Sequence, residues 1–248
     1  MISMTAEGVA DALARLDWHE MGAQLDEEGY ALIPNLFSPQ AALALAQLAT
    51  SSAGLRPIRL ENLDLGQGEM HVLHDPLAPV LTTLRSALYP PLATIADRWN
   101  ERQGLDVRYP RSFDASALVR PQPGQEPSPP HLTRLLEDDF VALHLCAGAG
   151  AGGECALPLR LVALLSRPGE DFDGGNLILT EQRPRMQSRP AVIPLQFGDA
   201  AVICANQRPV QGRSGIYRVT VRHAISRVLR GSRIGLELSF QAYAPPHR

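Results

Sequence analysis

The sequence predicts an α+β chain in which a mainly helical first part buttresses an antiparallel jelly roll. Three observations predict it. Before residue 130 apolar residues recur at helical spacing. After it the pattern becomes short, period-two runs separated by turn residues. Between them lies "RPQPGQEPSPP", residues 120–130, a proline-rich polar stretch that reads as a surface connector. Helices followed by many short strands suit a two-sheet roll packed against helices. Residues 1–130 then form a support region and residues 131–248 the core of one integrated domain.

The elements follow in order. "AEGVADALARL" carries apolar residues at helical spacing, and "GYALIPNLF" reads as a short strand. "SPQAALALAQLAT" opens with Ser38 as N-cap and Pro39 at the first helical position. "PLAPVLTTLRSALYPPLATIADRWNERQG" predicts two helices broken at Pro90 and Pro91, the second ending at Gly104. Seven strands are expected: "FVALHLC", "LRLVALLS", "GNLILT", "AVIPL", "DAAVICA", "IYRVTVRHAIS" and "RIGLELSFQAY". "RPGEDFDGG" and "QFGD" supply turns between them.

Composition narrows the function classes. A 248-residue chain with 45% hydrophobic residues can bury one sizeable core. Its net charge of −3 argues against a disordered chain or a generally basic nucleic-acid binder. The chain has no lysine, so every basic residue is arginine. No leader and no apolar run of about 20 residues is visible, so the expectation is a cytoplasmic protein without a membrane partner. Cys146, Cys155 and Cys204 are an odd number for a disulfide framework and read as reduced thiols.

Strand parity brings chemistry together. In "VALHLC", His144 and Cys146 project from one face. In "YRVTVRHAIS", His223 shares a face with Val219, Val221 and Ile225, among inward apolar residues. Ten residues later Arg233 opens the last long strand. Two histidines and an arginine on separate strands suit a metal and an anionic co-substrate. Neutral imidazole binds divalent iron, and guanidinium clamps a carboxylate. The alternative is two core histidines and a solvated arginine.

Three longer stretches carry a resemblance: "ALYPPLATIADRWNERQGLDVRYP", "LLSRPGEDFDGGNLILTEQRPRMQSRPAVIPLQFGDAAVI" and "RPVQGRSGIYRVTVRHAISRVLRGSRIGLELSF". From about residue 80 onward the chain resembles iron(II)- and 2-oxoglutarate-dependent oxygenases. Within that superfamily it resembles a bacterial family named for oxidising damaged nucleic acid. The resemblance implies a double-stranded β-helix over residues 141–243. It implies iron(II) and 2-oxoglutarate as cofactor and co-substrate, and hydroxylation or demethylation of a substrate, nucleic acid being one class. It implies His144 as the first metal ligand, His223 as the distal one, and Arg233 as the anchor of the far carboxylate of 2-oxoglutarate.

The family's His-x-Asp pair is altered here. Cys146 stands where the aspartate is expected, and "AGAGAGG" lengthens the following loop before Glu154. Cys146 as a thiolate would complete a His144, Cys146, His223 set, softer than the usual two histidines and a carboxylate. Glu154 could instead swing in from the loop, or water or a halide could fill the position. The remaining alternative is a catalytically degenerate fold acting as a non-catalytic binding protein. Three weaker features complete the reading. Seven arginines and no acid lie between Ala200 and Leu236, a basic rim or a set of solvated charges. His71 and His74 fall in an expected surface loop or substrate mouth. Gly174 and Gly175 suit a tight turn, and Cys204 a core strand.

Overall fold

Two antiparallel sheets face one another across an apolar interior, and the period-two runs form their strands. The computed structural model describes residues 6–51, 55–74, 76–113, 129–145, 157–183, 186–213 and 215–240. The larger sheet runs β1 (Tyr30–Ile33), β11 (Ala200–Cys204), β7 (Leu159–Leu164), β14 (Val228–Leu238), β5 (His131–Leu136), β4 (Glu69–Val72) and β2 (Ile58–Arg59). A short strand, β8 (Phe172–Gly174), pairs with the start of β14. The smaller sheet runs β10 (Arg189–Ile193), β9 (Leu177–Gln182), β13 (Gly215–Ile225), β6 (Phe140–His144) and β3 (Gly66–Gln67). On it β12 (Gln207–Gly212) pairs with β13. This is the jelly roll expected from the sequence.

β7 and β11 are buried along their whole length. That accounts for their near-continuous apolar runs, since a strand covered on both faces needs no polar alternation. β1 to β4 precede residue 130, so both sheets draw strands from both halves of the chain.

Four α-helices are described: α1 (Ala6–Ala14), α2 (Trp18–Glu28), α3 (Pro39–Thr50) and α4 (Pro79–Arg102). α3 starts as the sequence predicts, with the Ser38 hydroxyl accepting from the Ala41 N–H at 3.2 Å. α4 corrects an expectation, because it is one helix that continues through Pro90 and Pro91. Each proline lacks the N–H that would reach the carbonyl four residues back. Those carbonyls belong to Ser86 and Ala87, both exposed, so losing the two helix bonds buries no unpaired group there. Leu84, Leu88 and Leu92, all fully buried, hold the opposite face in place. α2 was not expected; it buries only Met21, Gly22 and Leu25 in an otherwise polar stretch. Its Asp26 carboxylate accepts from Trp99 Nε1 at 2.6 Å and from Arg98 and Arg102, pinning α2 to α4. Among the described residues no helix is long and apolar enough to cross a membrane.

Candidate active site

A cavity of about 360 Å³ opens between the two sheets. His223 reaches it from β13, where alternation places it with buried Val219, Val221 and Ile225. His144 arrives by a less regular route. His223 pairs with His144, while Ile225 pairs with Val141, so β6 carries one extra residue between the two pairs. Strict alternation would set Val141 and His144 on opposite faces. The bulge lets both line the cavity. The two imidazoles lie with ring centroids 4.2 Å apart, tilted by 55°.

His144 Nδ1 lies 2.8 Å from the Ala142 carbonyl oxygen. A carbonyl only accepts, so Nδ1 carries the proton and Nε2 keeps its lone pair. Burial, then the neighbouring His223, lowers the His144 pKa to about 4, so the ring is neutral at ordinary pH.

Arg233 enters from β14, where it is 3% exposed. Its Nε donates to the Gly175 carbonyl at 2.7 Å. Its Nη1 is buried and has no hydrogen-bond partner among the described residues. Burial lowers its pKa only to about 10, so it remains a cation at neutral pH. Glycine clears the space around it. Gly175 takes φ +55°, and a Cβ there would come within 2.8 Å of Arg233 Cδ. Gly235, next on the same face of β14, would place a Cβ 2.8 Å from Arg233 Nη1. Gly174 and Gly175 are thus turn glycines, as expected, and the turn holds the arginine.

The structure adds three residues that the sequence reading passed over. Glu237 lies on β14, buried, with Oε2 3.3 Å from His223 Nε2 and Oε1 2.6 Å from Arg160 Nη1. His131, on β5 directly across from Glu237, places Nε2 3.9 Å from the same Oε2. Burial alone would raise the Glu237 carboxyl. The charges of Arg160 and His131 and the hydrogen bond from His223 outweigh it and hold the group well below the usual carboxylate range. A signal existed in the sequence: Glu237 shares the alternating face of Arg233 in "RIGLEL", and Arg160 interrupts the apolar "LRLVALL". Single charged residues inside apolar runs are seldom buried without a partner.

Cys146 and Glu154, the two sequence candidates for the missing carboxylate, lie outside the described residues, as does Cys155. Cys204 is fully buried in β11, as expected. His71 corrects an expectation: it lies buried within β4, with Nδ1 3.3 Å from the Leu55 carbonyl oxygen, not in a surface loop. His74 is exposed beyond that strand. The seven arginines do not form a free basic rim. Arg208 and Arg233 are buried, Arg227 pairs with Asp138 at 3.2 Å, and Arg230 pairs with Asp173 at 2.8 Å.

These residues fit the groups that the sequence implied. A metal held at about 2.1 Å by two imidazoles at right angles would set the ring centroids about 4.6 Å apart. The observed 4.2 Å is near that. The unpartnered Arg233 Nη1, beside the space Gly235 leaves, suits one end of a dicarboxylate. Among the described residues no group of three or more His, Cys, Asp or Glu closes on one point.

Residues 68–242 match the model of a family described as an oxygenase catalysing oxidative methylation of damaged DNA. The chain belongs to this oxygenase family. An uncharacterised protein of Mycobacterium tuberculosis strain H37Rv is 35% identical over 165 residues, 66% of this chain and 69% of that one. In fold the oxygenase is similar to a prolyl-4-hydroxylase of Pseudomonas putida, with a TM-score of 0.51 at 12% identity over 92% of this chain and 100% of that one. It is likewise similar to a prolyl hydroxylase of Trichoplax adhaerens, solved with a hypoxia-inducible-factor peptide. There the TM-score is 0.54 at 12% identity, over 96% of this chain and 93% of that one. The fold is therefore the jelly roll that these prolyl hydroxylases share, and the protein is oxygenase-like.

Proposed function

We propose that this oxygenase is an iron(II)- and 2-oxoglutarate-dependent enzyme that hydroxylates or demethylates its substrate in the cavity between the sheets. The observation that carries the reading is the convergence of His144, His223 and Arg233 on that cavity, with Arg233 Nη1 unpartnered. His144 and His223 would hold the metal and Arg233 the far carboxylate of 2-oxoglutarate. When bound, iron and 2-oxoglutarate supply dioxygen activation: one oxygen atom enters succinate as CO2 leaves, and the other enters a substrate C–H bond.

The chain's own residues prepare that chemistry. His144 stays neutral, so it needs no deprotonation to offer Nε2. The Gly175 carbonyl fixes the guanidinium of Arg233 in one orientation. Apolar walls, including Val162, Leu177 and Leu195, limit water at the reacting centre.

The mouth bears on the substrate. Leu63 and Leu145 both line the cavity and are 41% and 40% exposed. An apolar entry suits a substrate that presents an alkyl or ring group. The family description names damaged DNA, and an alkylated base would offer such a group. Yet four of the seven arginines of the last strands are buried or ion-paired, which leaves little for tracking phosphates.

The test is turnover of 2-oxoglutarate to succinate by the purified protein, with and without iron(II). Alkylated and unmodified oligonucleotides form separate arms. Iron-dependent succinate release supports the reading, and stimulation only by alkylated DNA assigns the substrate. Binding of 2-oxoglutarate with no iron-dependent succinate would make the protein a non-catalytic binding module instead.

A further inference from the structure

Four of the seven arginines of the last strands are buried or ion-paired, and the other three, Arg213, Arg218 and Arg222, belong to one hairpin, β12 and β13. We propose that the outward face of the smaller sheet docks the phosphate backbone of a single DNA strand, and that this hairpin leads the strand to the cavity mouth. The inference rests on the oxygenase reading with a DNA base as substrate. It goes beyond that reading by assigning the surface that holds the rest of the strand.

Alternation fixes the face. Val219, Val221 and His223 point inward on β13, so Arg218, Thr220 and Arg222 point outward. The register carries that face onto the neighbouring strands, Arg222 being paired with Thr180 on β9 and Thr220 with Gln207 on β12. The outward positions of β9, β10, β12 and β13 hold arginine, threonine, glutamine, proline and aliphatic side chains, and no acid. Among the described residues neither Arg213, Arg218 nor Arg222 has an ion pair. Guanidinium groups beside hydroxyl and amide donors suit phosphate oxygens. The lack of acids on this face removes the local repulsion that a chain of net charge −3 would otherwise offer a polyanion.

The face is open and leads to the site. The helices pack chiefly on one another, on the larger sheet and on β12. β12 meets α2 through Arg208, an inward residue that donates to the Asp26 and Glu27 carbonyls. Val192, outward on β10, is 57% exposed. His223 pairs with His144, so Arg222 and Leu145 come next along the two strands, and Leu145 lines the cavity mouth. From Gly215 to Arg222, β13 spans about 23 Å. Arg213 is exposed at the turn before it, Arg218 lies midway and Arg222 stands at the rim. A base in the cavity would leave its neighbours on this cationic track. A single strand suits it, because its bases leave the stack without breaking pairs.

The test is fluorescence anisotropy of a labelled single-stranded oligonucleotide with the full chain, without iron or 2-oxoglutarate, over a series of salt concentrations. For three phosphate contacts on a single strand, the logarithm of the wild-type affinity should fall with the logarithm of salt at a slope of about −2. Arg218→Gln/Arg222→Gln should bring the slope to about −0.7 and weaken binding about tenfold or more at about 100 mM salt. Arg227→Gln/Arg230→Gln, which removes two arginines already paired with acids, should stay within about threefold of wild type. Thr180→Glu sets an acid opposite Arg222 and should weaken binding as the double variant does. If the double variant fails to fold by circular dichroism, Thr180→Glu carries the test. Both should bind 2-oxoglutarate as wild type does. Wild type that does not bind the oligonucleotide, an affinity independent of salt, or a wild-type slope in the folded variants overturns the proposal. Poly-glutamate of equal length bound as tightly as the oligonucleotide also overturns it, in favour of an acidic protein partner. DNA binding without iron-dependent succinate release leaves this surface standing while the oxygenase reading fails. Succinate release without DNA binding sinks the surface alone.

Discussion

His144 shows how one residue's environment sets its chemistry. A histidine in water is half protonated at pH 6.5, and burial beside His223 lowers that to about 4. In the metal-free protein this costs stability in acid. As the pH falls below 6.5 the unfolded chain takes up a proton on this ring and the folded chain does not, until about pH 4. The loss between pH 7 and pH 5 should be about 2 kcal/mol. Urea unfolding of metal-free wild type and of His144→Phe at the two pH values measures it. The variant should lose that much less than wild type, and equal losses would show that the ring is not held neutral. His223 was legible in the sequence because β13 alternates regularly. His144 was legible as a histidine on a strand, but the bulge that turns it inward leaves no mark in "FVALH".

At the scale of elements, the turn after β8 and the strand β14 act together. Gly175 reaches φ +55° with its carbonyl on Arg233 Nε, and Arg233 Cδ occupies the space a Cβ would need. Gly175→Ala should therefore cost about 1–3 kcal/mol of stability through backbone strain. It should also weaken 2-oxoglutarate binding by about tenfold or more, because the guanidinium loses its fixed place. Thermal melts and equilibrium binding of 2-oxoglutarate check the two effects. A variant that is destabilised but binds normally would separate the turn from the site. "DFDGGNLIL" announced the turn, but not the side chain it would support, since Arg233 lies 58 residues away along the chain. α2 and β5 escaped notice for related reasons. α2 buries three residues in a polar stretch, and β5 follows the proline-rich connector so closely that "HLTRLL" reads as its continuation. Missing β5 meant missing His131.

For the whole molecule, the order of the sheets brings distant segments onto one cavity. β5, β14 and β7 lie side by side in one sheet, and β6, β13 and β9 in the other. His131, Arg233, Glu237 and Arg160 thus come from the first sheet, and His144 and His223 from the second. Parity could place each of these residues inward except His144, which the bulge turns in, but only the pairing of strands shows which of them meet. That is why the histidines and Arg233 were read from the sequence and the Glu237 cluster was not. The central claim is that metal and 2-oxoglutarate share this cavity, one on the histidines and the other on Arg233. It is tested most directly by anaerobic titration of the iron(II)-loaded protein with 2-oxoglutarate, following the visible absorption that appears when a 2-oxo acid chelates iron(II). Wild type should develop the band saturably, His223→Ala should lose it, and Arg233→Met should require about 100-fold more 2-oxoglutarate. A wild-type protein with no such band, or a band that survives both substitutions unchanged, would contradict the claim.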